Sequence, residues 1–206
     1  MLLALLLVVT LSSPFAQQVQ HAYAQQEPDT LRTLLSQADT RVDSLLVRYR
    51  LYPLTEDASV LHDLPSDLPD GSARELALLS GLWSYRAGEA SIFSVVQYGR
   101  RSASLLEEAK EQAPGDPFVL LVEGQSLLFR PAIAGRDPSA AVQSFRQLAA
   151  QADTLSGITK MEADVWCWLA LKEAGEATQA EELHADLLSK KPPPLYQQFL
   201  EDPPEV

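Results

Sequence analysis

The sequence predicts an all-α protein, and three observations carry that reading. Apolar residues recur at three- and four-residue spacings along most of the chain, the period of a helix with one buried face. No stretch alternates apolar and polar residues over strand length, and the β-branched residues are scattered. Pro and Gly fall where helices would start and stop. The chain has 206 residues, 46% hydrophobic and 21% charged, which suits one compact domain. With a single cysteine, its core must hold without disulfides, and a chain of this length can bury enough surface to do so. Sixteen basic residues against 28 acidic ones give a net charge of −12. That argues against a duplex nucleic acid or an anionic membrane face as partner, because phosphate binding needs clustered positive charge.

Residues 1–24 contain no Asp, Glu, Lys or Arg. An apolar run from Leu2 to Val9 is broken by Ser12-Ser13-Pro14, and Ala22-Tyr23-Ala24 forms a small-residue cleavage pattern, with Pro14-Phe15-Ala16 a second and poorer one. This is the layout of a secretory signal peptide lacking its basic start, and the run is too short to span a bilayer. The alternative is a helix that caps the core. The expected mature chain is exported, periplasmic or extracellular, and has no membrane span.

Residues 25–71 read as one helix followed by a loop. Pro28-Asp29-Thr30 precedes Leu31, Leu34, Leu35, Ala38, Val42, Leu45, Leu46 and Tyr49, one face held for five turns, and Pro53 is placed to end it. Residues 51–70, with Pro53, Pro65 and Pro69 and five acidic side chains, read as a long surface loop. Residues 72–194 then carry the helical array. Ser72-x-x-Glu75 is a capping box before Leu76, Leu79, Leu82 and Trp83, and Gly88 is a stop. A helix of some twenty residues follows, through Val95, Val96, Ala103, Leu106 and Ala109. Pro114-Gly115-Asp116-Pro117 is a stop followed by a start, with Gly115 suited to a left-handed turn and Asp116 to a cap. The next helix carries Leu120, Leu121, Gly124, Leu127 and Leu128 and must finish near Pro131. Asp137-Pro138 opens another through Ala141, Val142, Phe145 and Leu148. Met161, Val165, Trp168 and Leu169 mark one that ends at Gly175, and Ala180, Leu183, Leu187 and Leu188 mark the last, closed by Pro192-Pro193-Pro194. The tail, 195–206, has room for one short turn.

Successive helices pair into hairpins, and the pairs resemble one another. Gly81 is followed by Ser102, Leu106, Ala109 and Pro114; Gly124 by Ala141, Phe145 and Leu148, with Asp153 at the proline position; Trp166, Leu169 and Ala170 by Ala180, His184, Leu187 and Pro192. Small residues at a crossing let two helices approach, and large ones fill the space beside them. Over roughly 73–192 this resembles the tetratricopeptide repeat, in about three degenerate copies. From crossing residue to second helix the spacings are 21, 17 and 10, so relative to the family the first two copies carry insertions, around Ile92–Gln97 and Pro131–Arg136, and the third is shortened. The stretch from Phe129-Arg130-Pro131 to Phe145 is also similar to exported bacterial repeat proteins with a Pro/Gly-rich loop in the middle repeat.

The resemblance implies antiparallel helical hairpins stacked with a concave face. By the family pattern that face is lined by Leu82 and Tyr85, Gln125 and Leu128, Leu171 and Ala174. It suits burial against the N-terminal helix or docking of a partner segment, with Tyr85 and Gln125 the best candidates for a partner contact. Arg100-Arg101, Arg130 and Arg136 are the basic concentration in the centre of the chain. They suit a clamp for partner carboxylates or internal pairs with Glu107, Glu123 or Asp137.

Signals for chemistry are sparse. No histidine is followed by a second metal ligand three or four residues on. Asp63, Asp67 and Asp70 lack the alternation of a calcium loop. Cys167, between Trp166 and Trp168, reads as a buried structural thiol. No nucleophile motif, phosphate loop or cofactor signature is present. The expected function is that of an exported, non-catalytic scaffold or adaptor that binds another protein or peptide. The alternative is a small-molecule-binding subunit of a cell-envelope transport system. Partner identity and oligomeric state are not legible.

Overall fold

A computed structural model of the chain describes residues 14–152 and 157–206. The apolar run Leu2–Val9, the Ser12-Ser13 break and Asp153 lie outside the described residues. Among those described, the fold is all-α: ten α-helices and two short 3₁₀ turns.

The first helix, α1 (Pro14–Ala24), occupies the end of the segment read as a leader, and Val19, Ala22, Tyr23 and Ala24 are buried in the core. The five-turn helix expected over 30–50 is two helices, α2 (Pro28–Ser36) and α3 (Arg41–Thr55). The break is a cap: Thr40 Oγ1 accepts from the Asp43 N–H at 3.2 Å, so Thr40-x-x-Asp43 starts a new helix. The apolar period continues across the break because Leu31 and Leu34 of α2 and Leu45, Leu46 and Tyr49 of α3 are buried in the same core. Pro53 lies inside the last turn of α3 rather than ending it; the chain leaves the helix at Glu56, in the left-handed conformation at φ 50°.

The stretch after α3 is not the solvated loop its composition suggests. Val60, Leu61, Leu64 and Leu68 are buried, the first two in a 3₁₀ turn over Ala58–Leu61. Its carbonyls are held by side chains. Arg48 donates to the Val60 carbonyl at 2.7 Å and to that of His62, Arg86 to Leu61 at 3.3 Å, Arg101 to Ser66, and Trp83 Nε1 to Pro65 at 3.0 Å. These donors answer backbone acceptors that would otherwise be lost to water.

From Ser72 onward the start and stop signals hold. The helix α4 (Ala73–Gly88) has its capping box, with the Ser72 N–H donating to Glu75 Oε2 at 2.9 Å. There follow α5 (Ile92–Gln112), α6 (Pro117–Phe129) capped by Asp116, and α7 (Pro138–Gln151) capped by Asp137. Gly115 does not take the left-handed conformation; Gly175 does, at φ 77°, and ends α8 (Lys160–Glu173). The chain closes with α9 (Ala177–Ser189) and α10 (Pro194–Glu201), the latter a full two turns that bury Tyr196 and Leu200.

Sequential helices pack together, consistent with stacked hairpins α4/α5, α6/α7 and α8/α9, while α4 touches α6 and α6 touches α8. Arg74, at the start of α4, pairs with the Asp116 cap of α6 at 2.9 Å, so these helices begin at one end of the stack. The helix α3 runs alongside α4 in the same direction: Arg41 meets Glu75 at 2.7 Å at their starts, and Tyr52 donates to Glu89 at 2.6 Å at their ends. On the same side, α1 packs on α2, α3 and α10, and α10 packs on α8.

Candidate functional site

The face formed by α4, α6 and α8 is covered. Leu82, Leu128 and Leu171, expected to line a groove, are buried. Tyr85 stacks on Tyr49 and Tyr52 of α3, with ring centroids 5.5 and 4.9 Å away. Gln125 accepts the Tyr49 hydroxyl hydrogen bond. Of the two uses weighed for this face, burial against an N-terminal helix is the one present, and α3 is that helix. Gly81 makes room for it: a Cβ there would meet the Tyr49 ring closer than 3.0 Å. The small residue expected to admit the hairpin partner of α4 thus admits α3. Gly124 faces the ring of Phe145 on α7, its hairpin partner, at equally short range.

A buried ion pair locks this layer to the stack. Arg50 of α3 makes a two-point contact with Glu162 of α8, with Nη2–Oε2 at 3.1 Å, and both side chains are almost wholly buried. The guanidinium lies 4.6 Å from the Tyr23 ring centroid and 5.7 Å from that of Phe118. Burial works against the Arg50 charge, and the Glu162 carboxylate more than restores it, so the pKa rises. Burial also pushes Tyr23 up to about 12 and raises Tyr49, Tyr85 and Tyr196, which keeps the cage of phenols neutral. Both charges are committed to each other in a packed interior, an arrangement suited to holding helices in register rather than to chemistry.

The opposite end of α4, α6 and α8 carries the accessible features. The stretches 90–106 and 124–136 contain four arginines and no Asp or Glu, in a chain with 28 acidic residues. They are the α4–α5 turn with α5 as far as Leu106, and the end of α6 with the 3₁₀ turn Ala132–Ala134. Because α4 and α6 start together and pack side by side, their following turns share one end of the stack. Phe93 is 94% exposed, Val96 55% and Ile133 99%. Exposed large apolar side chains grouped in this way mark interaction surfaces more often than scattered ones do.

The arginines there divide. Arg136 is engaged internally, donating to the Leu128 carbonyl at 2.9 Å and pairing with Glu173 at 2.6 Å, a different carboxylate from those the sequence suggested. Arg101 lies 5.4 Å from the Trp83 ring centroid and holds the Ser66 carbonyl. Arg100 and Arg130 have no ion pair among the described residues, and Arg130 Nε is buried without a hydrogen-bond partner. Sequence reasoning named Arg100 and Arg130 but missed Phe93, Val96 and Ile133. The signal that would have found them is the absence of acidic residues around these two turns.

A surface-open cavity of about 260 Å³ lies at the same end, lined by His62, Arg86, Glu89, Ser94 and Tyr98 among others. A second, of about 420 Å³, lies between α7, α8 and α9 beside Cys167. Burial raises the Cys167 pKa, which works against a reactive thiolate. His184 stacks on Trp168 at 5.1 Å. Among the described residues no group of His, Cys, Asp and Glu is arranged to hold a metal ion, and no helix is long and apolar enough to cross a membrane. No family model matches the chain, and neither a curated protein nor a solved structure does.

Proposed function

We propose that this is an exported, non-catalytic helical-repeat protein of tetratricopeptide-like design, which binds an acidic segment of another protein or peptide at the hairpin-turn end of its stack. One observation carries the reading. Two inserted, acid-free turns bring exposed Phe93, Val96 and Ile133 to the end of the stack where Arg100 and Arg130 have no carboxylate partner among the described residues. Guanidinium forks pair with carboxylates, and neighbouring apolar side chains supply the desolvated contact that such pairs need to hold a partner. The pairwise packing of α4 to α9, and the Gly124–Phe145 crossing, support the repeat design. Tyr85 and Gln125 serve a partner only if α3 is displaced, and Arg136 is held by Glu173 and the Leu128 carbonyl, so Arg130 is the retained part of the expected contact set.

The test compares the exported wild-type protein with the Arg100→Gln/Arg130→Gln/Ile133→Ser variant in capture from envelope extract. The captured protein is then purified and titrated against both. The proposal expects saturable binding that weakens about tenfold or more in the variant, roughly 1.4 kcal/mol, with unchanged melting. Equal binding by the two proteins overturns the site. Saturable uptake of a small molecule in place of a protein would support the transport-subunit alternative.

A further inference from the structure

The Ala22-Tyr23-Ala24 motif is the better of the two cleavage patterns by composition, yet it sits in the last turn of a core helix. Resting on the export reading above, we propose that the leader is cut at the Ala16–Gln17 bond, and that residues 17–24 remain as a structural part of the working protein. The argument begins with what a cut after Ala24 would remove. Val19, Ala22 and Ala24 are each at most 3% exposed and lie in the main core cluster. Tyr23 provides the nearest aromatic face over the Arg50 guanidinium. Without it, the one buried cation of α3 would lose part of its cage while keeping an Nε that already has no partner.

The joint between α1 and α2 is also built. The Gln25 N–H donates to the His21 carbonyl at 3.0 Å, Gln26 to Tyr23 at 3.1 Å and Glu27 to Ala22 at 2.9 Å. Gln20 Nε2 donates to the Tyr196 hydroxyl at 3.2 Å and Gln26 Nε2 to Gln198 at 2.5 Å, tying both ends of the chain together. A cut after Ala24 strips α10 of a packing neighbour. A cut after Ala16 leaves every one of these contacts in place, and among the described residues it gives up Pro14 and the half-buried Phe15 and Ala16.

The leader pattern agrees. Ala16 follows closely on the Ser12-Ser13-Pro14 break that ends the apolar run, whereas Ala24 lies a further two helical turns on. Hydrolysis adds water across the Ala16–Gln17 amide, leaving a carboxylate on the released leader and an amine on Gln17.

The experiment expresses the full chain in a Gram-negative host and reads the N-terminus of the exported protein by intact mass and peptide mapping, beside an Ala16→Leu variant. The expected N-terminus is Gln17, or its cyclised form lighter by one ammonia, and the variant accumulates uncut. An N-terminus at Gln25 overturns the proposal. In parallel, chains 17–206 and 25–206 are made without a leader and melted. Residues 25–206 should melt lower by roughly 10 °C or more, or without cooperativity; equal melting overturns the structural role of α1. A full chain that stays unprocessed in the cytoplasm would sink the export reading and the cut with it, while the two melts still decide the place of α1 in the fold.

Discussion

At the scale of single residues, Arg50 and Glu162 matter most, because among the described residues neither charge has another ion-pair partner. Removing one leaves the other buried and uncompensated. Arg50→Met or Glu162→Gln alone should cost about 3–5 kcal/mol, whereas the double substitution Arg50→Met/Glu162→Leu should recover most of it. Urea unfolding of the three variants checks this, and a double variant as unstable as the worse single one would refute it. Glu75 offers a titratable probe. The Arg41 hydrogen bond holds its carboxyl down at about 2, against an ordinary 4.5. A lowered carboxyl stabilises the fold above its unfolded value and loses that contribution as pH falls through the folded one. The melting temperature of the wild type should therefore fall between pH 4.5 and 2 more steeply than that of Glu75→Gln. Tyr23 runs the other way. Its neutral form is favoured up to about 12, so its contribution is complete below pH 10 and lost as pH rises toward 12.

At the scale of elements, two close contacts decide how helices meet. Gly124 accepts the Phe145 ring where any Cβ would collide. Gly124→Ala should cost about 1–3 kcal/mol by overpacking, and Phe145→Leu in the same chain should relieve part of it; thermal melts of the single and double variants decide. The 56–71 segment shows how donors make order from a loop-like composition. Arg101→Gln together with Trp83→Phe removes the hydrogen bonds to Ser66 and Pro65. Limited proteolysis should then open the chain between Thr55 and Ser72 at least several-fold faster than in the wild type. Cutting confined to other segments would show that the buried leucines alone hold it.

At the scale of the molecule, net charge and local charge point in different directions. A chain at −12 is repelled by acidic partners at long range. Its hairpin-turn end nevertheless joins two stretches without a carboxylate. Association there should be short-ranged, with the apolar side chains contributing most of the residence time. Raising salt from 0.05 to 0.5 M should change the affinity of the captured partner by only a few-fold, since the overall repulsion and the local attraction are screened together. Loss of binding at 0.5 M would instead place the Arg contacts, not Phe93 and Ile133, at its centre.

What could be read from the residues was what is local. Helical class and capping at Ser72, Asp116 and Asp137 follow from period and punctuation, which act over a few residues and hold in any packing. The split at Thr40 was also local, but an unbroken apolar period across it concealed the cap. The leucines at 61, 64 and 68 were legible as a buried pattern and were masked by the prolines and aspartates around them. Which surface covers the first helices was decided only in three dimensions. Tyr49 and Gln125 are separated by 76 positions and Arg50 and Glu162 by 112, and their pairing depends on where α3 lies across the stack. For the same reason Pro14–Ala24 closes a stretch of leader-like composition and yet packs as a core helix: small and apolar residues suit both a protease and a close helix crossing, and only the neighbours brought by the fold separate the two.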